Sequence, residues 1–295
     1  MKKLRYLFEA FLVHSLMSLF RCLSPDTASN LGGFLGRHIG PHLPANRKTK
    51  RHIANSLHTS PAETTRIATG MWDNLGRLFA EYPHLPTLYM HRTELVGIEH
   101  LEHILTHPES PAIFFSGHLA NWEIAAPSLR QKNINIDLIY RSPNNPYIKN
   151  ILDQCRSMDG TLITYPKSAK GMRDVMSALK RGRKIGILID QKYNQGVEVP
   201  FFGQPAMTSL AFIHLAKRFQ CPLIPAKIER LNGAHFRATL FPPMDLSKDD
   251  ITLVNEAHAL LESWTQQLEE EDHACTNKHP LPANIRRGIH HHRRR

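Results

Sequence analysis

From residue 111 onward, short apolar runs alternate with helix-patterned stretches, and no other feature constrains the fold as much. Strands are expected at 111–115, 134–140, 161–164, 184–190, 222–228 and 235–240. Helices are expected at 121–130, 147–158, 169–180, 209–219 and 250–271. Such alternation builds βαβ units, hence an α/β fold with a mostly parallel central sheet and helices on both faces. In sheets of this kind ligands bind at the carboxyl ends of the strands. Three polar groups fall there: Ser116-Gly117-His118, Tyr140-Arg141 and Asp190-Gln191.

The 295 residues suffice for one large domain or two small ones with a real core. The mean hydropathy of −0.35 excludes a polytopic membrane protein. A net charge of +11 suggests nucleic acid until it is located along the chain. Residues 1–58 hold 9 basic against 2 acidic side chains, and residues 281–295 hold 5 basic and none acidic. Residues 59–280, with 23 basic and 24 acidic, are close to neutral, so a nucleic-acid groove across the body is not expected. Cys22, Cys155, Cys221 and Cys275 are far apart, with no C-x-x-C pair, and are expected to be reduced, cytosolic thiols.

Leu4, Leu7, Phe8, Phe11, Leu12, Leu16 and Leu19 follow helical spacing, flanked by Lys2, Lys3, Arg5 and Arg21. About 20 apolar residues are needed to span a bilayer, and Glu9 interrupts this stretch. A helix lying in the membrane interface, with its basic flanks on anionic lipid, fits better than a spanning one; a helix packed on the domain is the plain alternative. The expected organisation is therefore a membrane anchor or interfacial helix at 1–25, a body at 26–272 and a divergent basic tail at 273–295, expected to be disordered. The Gly-rich stretch at 31–40 follows no strand, which excludes a dinucleotide fingerprint and leaves close helix or membrane packing.

The segment Ser116-Gly-His-Leu-Ala-Asn-Trp-Glu123 carries the clearest chemistry. Imidazole is the side-chain type that titrates nearest neutral pH, which suits general-base work. A carboxylate on its other ring nitrogen fixes the tautomer and stabilises the imidazolium. Five residues apart on one helix, His118 and Glu123 would point about 140° away from each other. They meet only if His118 lies in a turn and Glu123 in the first helical turn after it. The pattern alone equally fits a loop histidine and a glutamate favoured by a helix N-terminus. There is no G-x-S-x-G elbow, H-E-x-x-H pair or phosphate-binding G-x-x-x-x-G-K-[ST] loop.

These residues resemble the H-x4-D/E signature of the lipid A biosynthesis late acyltransferases of the lauroyl/myristoyl type, within the glycerolipid acyltransferase superfamily. Three further blocks agree in order: Leu138-Ile-Tyr-Arg-Ser-Pro-Asn-Asn-Pro146, Gly186-Ile-Leu-Ile-Asp-Gln191 and Gly196-Val-Glu-Val-Pro-Phe-Phe-Gly-Gln-Pro-Ala-Met-Thr208. Asn74-Leu-Gly-Arg-Leu-Phe-Ala-Glu81 and the N-terminal segment also fit, so the resemblance covers about residues 1–270. The tail after Glu271 departs from the family pattern.

The resemblance implies acyl transfer from an acyl carrier protein thioester to a hydroxyl of a phosphorylated lipid A precursor, at the cytoplasmic face of the inner membrane, without metal or organic cofactor. His118 would be the base and Glu123 its orienting carboxylate. Arg141, Asp190, Asn121 and Gln191 would bind substrate. Phe201, Phe202, Gly203, Ala206 and Thr208 would line the acyl or acceptor site. The basic stretch from Lys167 to Lys184 would receive the acidic carrier protein or anionic lipid, unless it is simply a solvated helix face. Two alternatives stand beside this: an acyltransferase for another membrane glycolipid or a lysophospholipid, and a catalytically impaired lipid-binding homologue.

Overall fold

The structure is a computed structural model and describes residues 2–156 and 162–278, with side chains through Gln267. Five helices come first: α1 (Lys2–Arg21), α2 (Pro25–Ile39), α3 (Pro44–Leu57), α4 (Pro61–Glu81) and α5 (Leu85–His91). The body follows as β1 (Thr93–Val96), α6 (Glu102–Thr106), β2 (Ala112–Ser116), α7 (Ala125–Ser128), β3 (Ile136–Tyr140), α8 (Pro146–Arg156), β4 (Thr164–Pro166), α9 (Ala169–Lys180) and β5 (Lys184–Leu188). It ends with β6 (Val197–Phe201), β7 (Gln204–Thr208), α10 (Ala211–Phe219), β8 (Leu223–Asn232), β9 (His235–Leu240) and α11 (Asp250–Lys278). Helix starts obey capping chemistry. Ser24, Ser60 and Ser168 each accept a backbone N–H three residues on, and Pro25 and Pro61 occupy the first helical positions.

Seven strands form one sheet in the order β1-β9-β8-β2-β5-β3-β4, and every neighbouring pair is parallel except β8–β9. Alternate residues of β2 serve two cores. Ile113 and Phe115 join Val175, Leu179, Phe212 and Leu261 from α9, α10 and α11. Ala112 and Phe114 join Leu101, Leu129, Ile136 and Ile224 on the other face. A strand buried on both faces has no polar positions, which is why β2 reads as an unbroken apolar run.

Several expectations are corrected. The helix expected at 121–130 is reduced to the single turn α7, followed by a 3-10 turn at Leu129–Lys132. Its first residues are taken up by a bend in which Ala120 adopts φ 44° and the Asn121 carboxamide oxygen accepts the Glu123 N–H at 3.1 Å. The 196–208 block folds as the antiparallel hairpin β6–β7 outside the main sheet. Helix α11 runs on through 273–278, into the expected tail. Positions 157–161 and 279–295, including the start of the strand expected at 161–164, lie outside the described residues.

The glycines at 31–40 serve helix packing. A Cβ at Gly32 would stand 2.3 Å from the Gly76 carbonyl oxygen, and one at Gly36 would stand 2.1 Å from that of Trp72, so α2 and α4 meet backbone to backbone. Helix α1 rests on this layer and on α8 through Met17 and Phe20. Its Glu9 is turned to the body, where Asn145 donates to its carboxylate and to the Tyr6 carbonyl. Leu4, Phe8, Phe11, Leu12 and Leu19 remain exposed on the opposite side, Phe11 by 66%. No helix among the described residues is long and apolar enough to cross a membrane.

A buried ion pair joins the helical layer to the sheet. Glu81, at the end of α4, is fully buried and receives the Arg230 fork from β8 and the Asn121 amide at 2.7 Å. Removing one partner strands the other charge in a dry site. Arg230→Met should therefore cost about 3–5 kcal/mol in urea unfolding. Replacing Glu81 by Met as well should recover much of that loss.

Candidate active site

The chain leaves β2 at Ser116 and turns at Gly117, which sets His118 at the carboxyl edge of the sheet. Strand β5 lies beside β2, with Ser116 opposite Leu188 and the Ile189 N–H donating to the Ser116 carbonyl at 3.0 Å. That register brings Asp190 to His118 across 72 residues of sequence. Asp190 holds the histidine twice: Oδ2 accepts the His118 backbone N–H at 2.7 Å, and Oδ1 bonds ring Nδ1 at 2.6 Å. The approach is close, since a Cβ on Gly117 would stand 3.3 Å from Asp190 Oδ2 and 3.1 Å from Leu261. A carboxylate on Nδ1 requires the proton there. In the neutral ring Nε2 then keeps its lone pair, facing the Gln191 amide nitrogen at 3.2 Å. The Trp122 ring packs edge-on against the imidazole, centroids 4.9 Å apart.

Glu123 does not pair with His118. The bend at Ala120 and Asn121 turns its carboxylate toward α8, where Arg156 Nε and Nη2 donate to it at 2.7 and 2.6 Å. The Tyr82 hydroxyl donates to the same carboxylate at 2.8 Å and accepts from Arg156 Nη2 at 2.7 Å. Burial, then the Glu123 charge, push the Tyr82 phenol well above its usual range, so it remains a donor. Burial would weaken the Arg156 cation, but its bonds to Glu123 and that carboxylate's charge more than offset this. The guanidinium stays charged, its carbon 5.4 Å from the ring centres of both Tyr82 and Tyr140.

The other expected binding residues divide. Arg141 and Gln191 line the cavity beside His118. Asn121 does not; fully buried, it braces the bend between Glu81 and the Glu123 N–H. Asp190 is likewise spent on His118. The Phe201-Phe202-Gly203 hairpin lies against α11 instead of the cavity: the Phe201 ring stands 4.7 Å from His258, and Glu262 accepts the Phe202 N–H. The basic stretch is partly absorbed as well. Arg183 forks onto Asp137, and the Lys184 ammonium is buried on backbone carbonyls. Lys167, Lys170, Arg173, Lys180 and Arg181 stay exposed, with Lys167 at the cavity wall. Arg156 went unnoticed in the sequence, because a lone arginine at the end of an amphipathic helix does not reveal which carboxylate it meets.

The cavity, about 210 Å³, lies against one face of the sheet. Its polar end gathers Ser116, His118, Arg141, Arg156, Lys167 and Gln191 at the strand ends. Farther along the strands its walls are apolar: Phe114, Ala126, Leu129, Ile136 and Leu138. Gly186 creates the room. A Cβ there would stand 2.8 Å from Leu138 and 3.1 Å from Ile136. Among the described residues no group of three or more His, Cys, Asp or Glu side chains is placed to hold a metal ion. A base with its proton-bearing nitrogen fixed, at the mouth of an apolar slot ringed by cations, suits proton removal from a polar acceptor beside a long aliphatic group.

The chain is 22% identical over 237 residues to a phosphatidylinositol mannoside acyltransferase of Mycobacterium tuberculosis strain H37Rv, covering 77% of this chain and 72% of that protein. The counterpart from strain CDC 1551 is 21% identical over the same length. A family model described as bacterial lipid A biosynthesis acyltransferase matches residues 1–271, and the chain belongs to that acyltransferase family.

Proposed function

We propose that the protein transfers a fatty acyl group from an acyl carrier protein thioester to a hydroxyl of a phosphorylated lipid A precursor, at the cytoplasmic face of the inner membrane. The observation that carries this reading is His118 Nε2, its tautomer set by Asp190, at the polar mouth of the Gly186 slot. The acyl chain occupies the apolar part, which places the thioester carbonyl near the imidazole. Nε2 takes the proton of the acceptor hydroxyl, and Asp190 stabilises the resulting imidazolium. The acceptor oxygen attacks the carbonyl, the C–S bond breaks, and the departing sulfur takes the proton back from His118. Arg141 and Lys167 supply charge for the acceptor's phosphate or the donor's phosphorylated arm. Glu123 acts through Arg156 and Tyr82, holding the cavity wall in place.

The exposed face of α1, with Lys2, Lys3 and Arg5 beside it, supports binding in the interface of an anionic membrane. Lys170 and Arg173, next to Lys167, support recognition of an acidic carrier. A second reading, with another glycolipid as acceptor, is favoured by the mannoside acyltransferase relatives. Mass spectrometry of lipids from cells with and without the gene separates the two. Loss of one acyl mass from lipid A supports the first, and loss from another glycolipid supports the second.

His118→Ala should abolish acyl transfer while leaving the fold intact. Asp190→Asn, which removes the fixed tautomer, should lower kcat by about 10²- to 10⁴-fold. Gly186→Ala should shift the products toward shorter acyl chains, read by mass spectrometry of the acylated lipid. Replacing Phe8 and Phe11 together by Ser should weaken binding to vesicles containing phosphatidylglycerol at least about tenfold.

A further inference from the structure

Among the described residues, three buried side-chain polar atoms lack a hydrogen-bond partner: Ser116 Oγ, Arg156 Nη1 and Arg230 Nε. Two of the three belong to residues lining the His118 cavity. Leaving a buried donor unpaired is costly, and folded proteins rarely do so without a use for it. Both residues are otherwise committed. Ser116 is the last residue of β2, 5% exposed, with its backbone carbonyl committed to Ile189. Arg156 is fixed through its other two nitrogens by Glu123 and Tyr82 and lies against two aromatic rings, so Nη1 has no freedom to seek another acceptor.

We infer that Ser116 Oγ–H and Arg156 Nη1–H form the oxyanion site of the transfer reaction. The inference rests on the acyl-transfer reading above and adds two catalytic groups to it. When the acceptor oxygen bonds to the thioester carbon, the C=O π pair moves onto the carbonyl oxygen. The two donors face that oxygen and hydrogen-bond it without giving up their protons. As the pair returns, the C–S bond breaks, and the sulfur leaves with the bonding electrons and takes the proton held by His118. The placement fits the sheet. Ser116 lies on the same face as Phe114, two residues along β2, and both residues line the cavity that also holds His118 and Arg156. A donor aimed at charge that develops only in the transition state gains most in a site shielded from water.

The test is Ser116→Ala in the full chain. Thiol release from lauroyl and palmitoyl thioesters of carrier protein and coenzyme A is followed in the presence of a phosphorylated glucosamine glycolipid. Loss of one donor should lower kcat by about 10²- to 10³-fold with KM little changed. The melting temperature should stay level or rise, because an unsatisfied hydroxyl has been removed. Arg156→Lys, which keeps the charge but not the fork, should also lower kcat. A second readout does not need turnover: the infrared carbonyl band of a ¹³C-labelled ketone analogue with CH₂ in place of sulfur. Bound to the wild type it should lie at lower frequency than when bound to Ser116→Ala. Activity of Ser116→Ala within twofold of wild type, or an unshifted band, overturns the oxyanion assignment while His118→Ala still tests the general base. Failure of the wild type to bind the ketone overturns the acyl reading and this inference with it.

Discussion

Everything at the site depends on Asp190 reaching across from the end of β5 to grip His118 by its backbone and its ring. The pair exists because β2 and β5 are parallel neighbours at the centre of a mostly parallel sheet, so the residues just past their carboxyl ends emerge side by side. A histidine held only by its ring can pivot. One whose peptide N–H is bound by the same carboxylate cannot, and its free nitrogen has one direction to point. The sheet thus supplies to a two-residue contact the rigidity that a local motif could not.

Around this pair two buried ion pairs perform a separate task. Glu81–Arg230 joins the helical layer to β8, Glu123–Arg156 joins the bend after β2 to α8, and Asn121 links them through one amide donor and one amide acceptor. Buried charges of this kind add little net stability over apolar packing, yet each is costly to break. Their effect is to allow one conformation of the 117–124 bend and to forbid its neighbours. The H-x4-E spacing therefore encodes a turn with an acid facing away from the base.

Much of the body was legible because buried strands and amphipathic helices impose period and length on the chain. Helix α9 occupies the expected 169–180, and the strands begin within a few residues of their apolar runs. The site edge was legible for the same reason, since His118, Arg141 and Gln191 follow strands. What was not legible depends on contacts distant in sequence. Glu9 looks like a flaw in an apolar helix until Asn145, 136 residues away, is seen to donate to its carboxylate. Glu123 looks like the histidine's partner until Arg156 and Tyr82 claim it. The pairing of a carboxylate is decided by tertiary packing, on which a short motif has no purchase.

Gly186 has one more consequence. The slot beside it is walled on two sides by β2 and β3, both hydrogen-bonded to β5, so its width is set by the spacing of a ladder and not by the reach of a loop. Pockets lined by loops stretch to accommodate a guest one carbon too long. Between β2 and β3 this one cannot widen without parting strands at the middle of the sheet. It acts as a gauge, admitting what fits and stopping the rest abruptly.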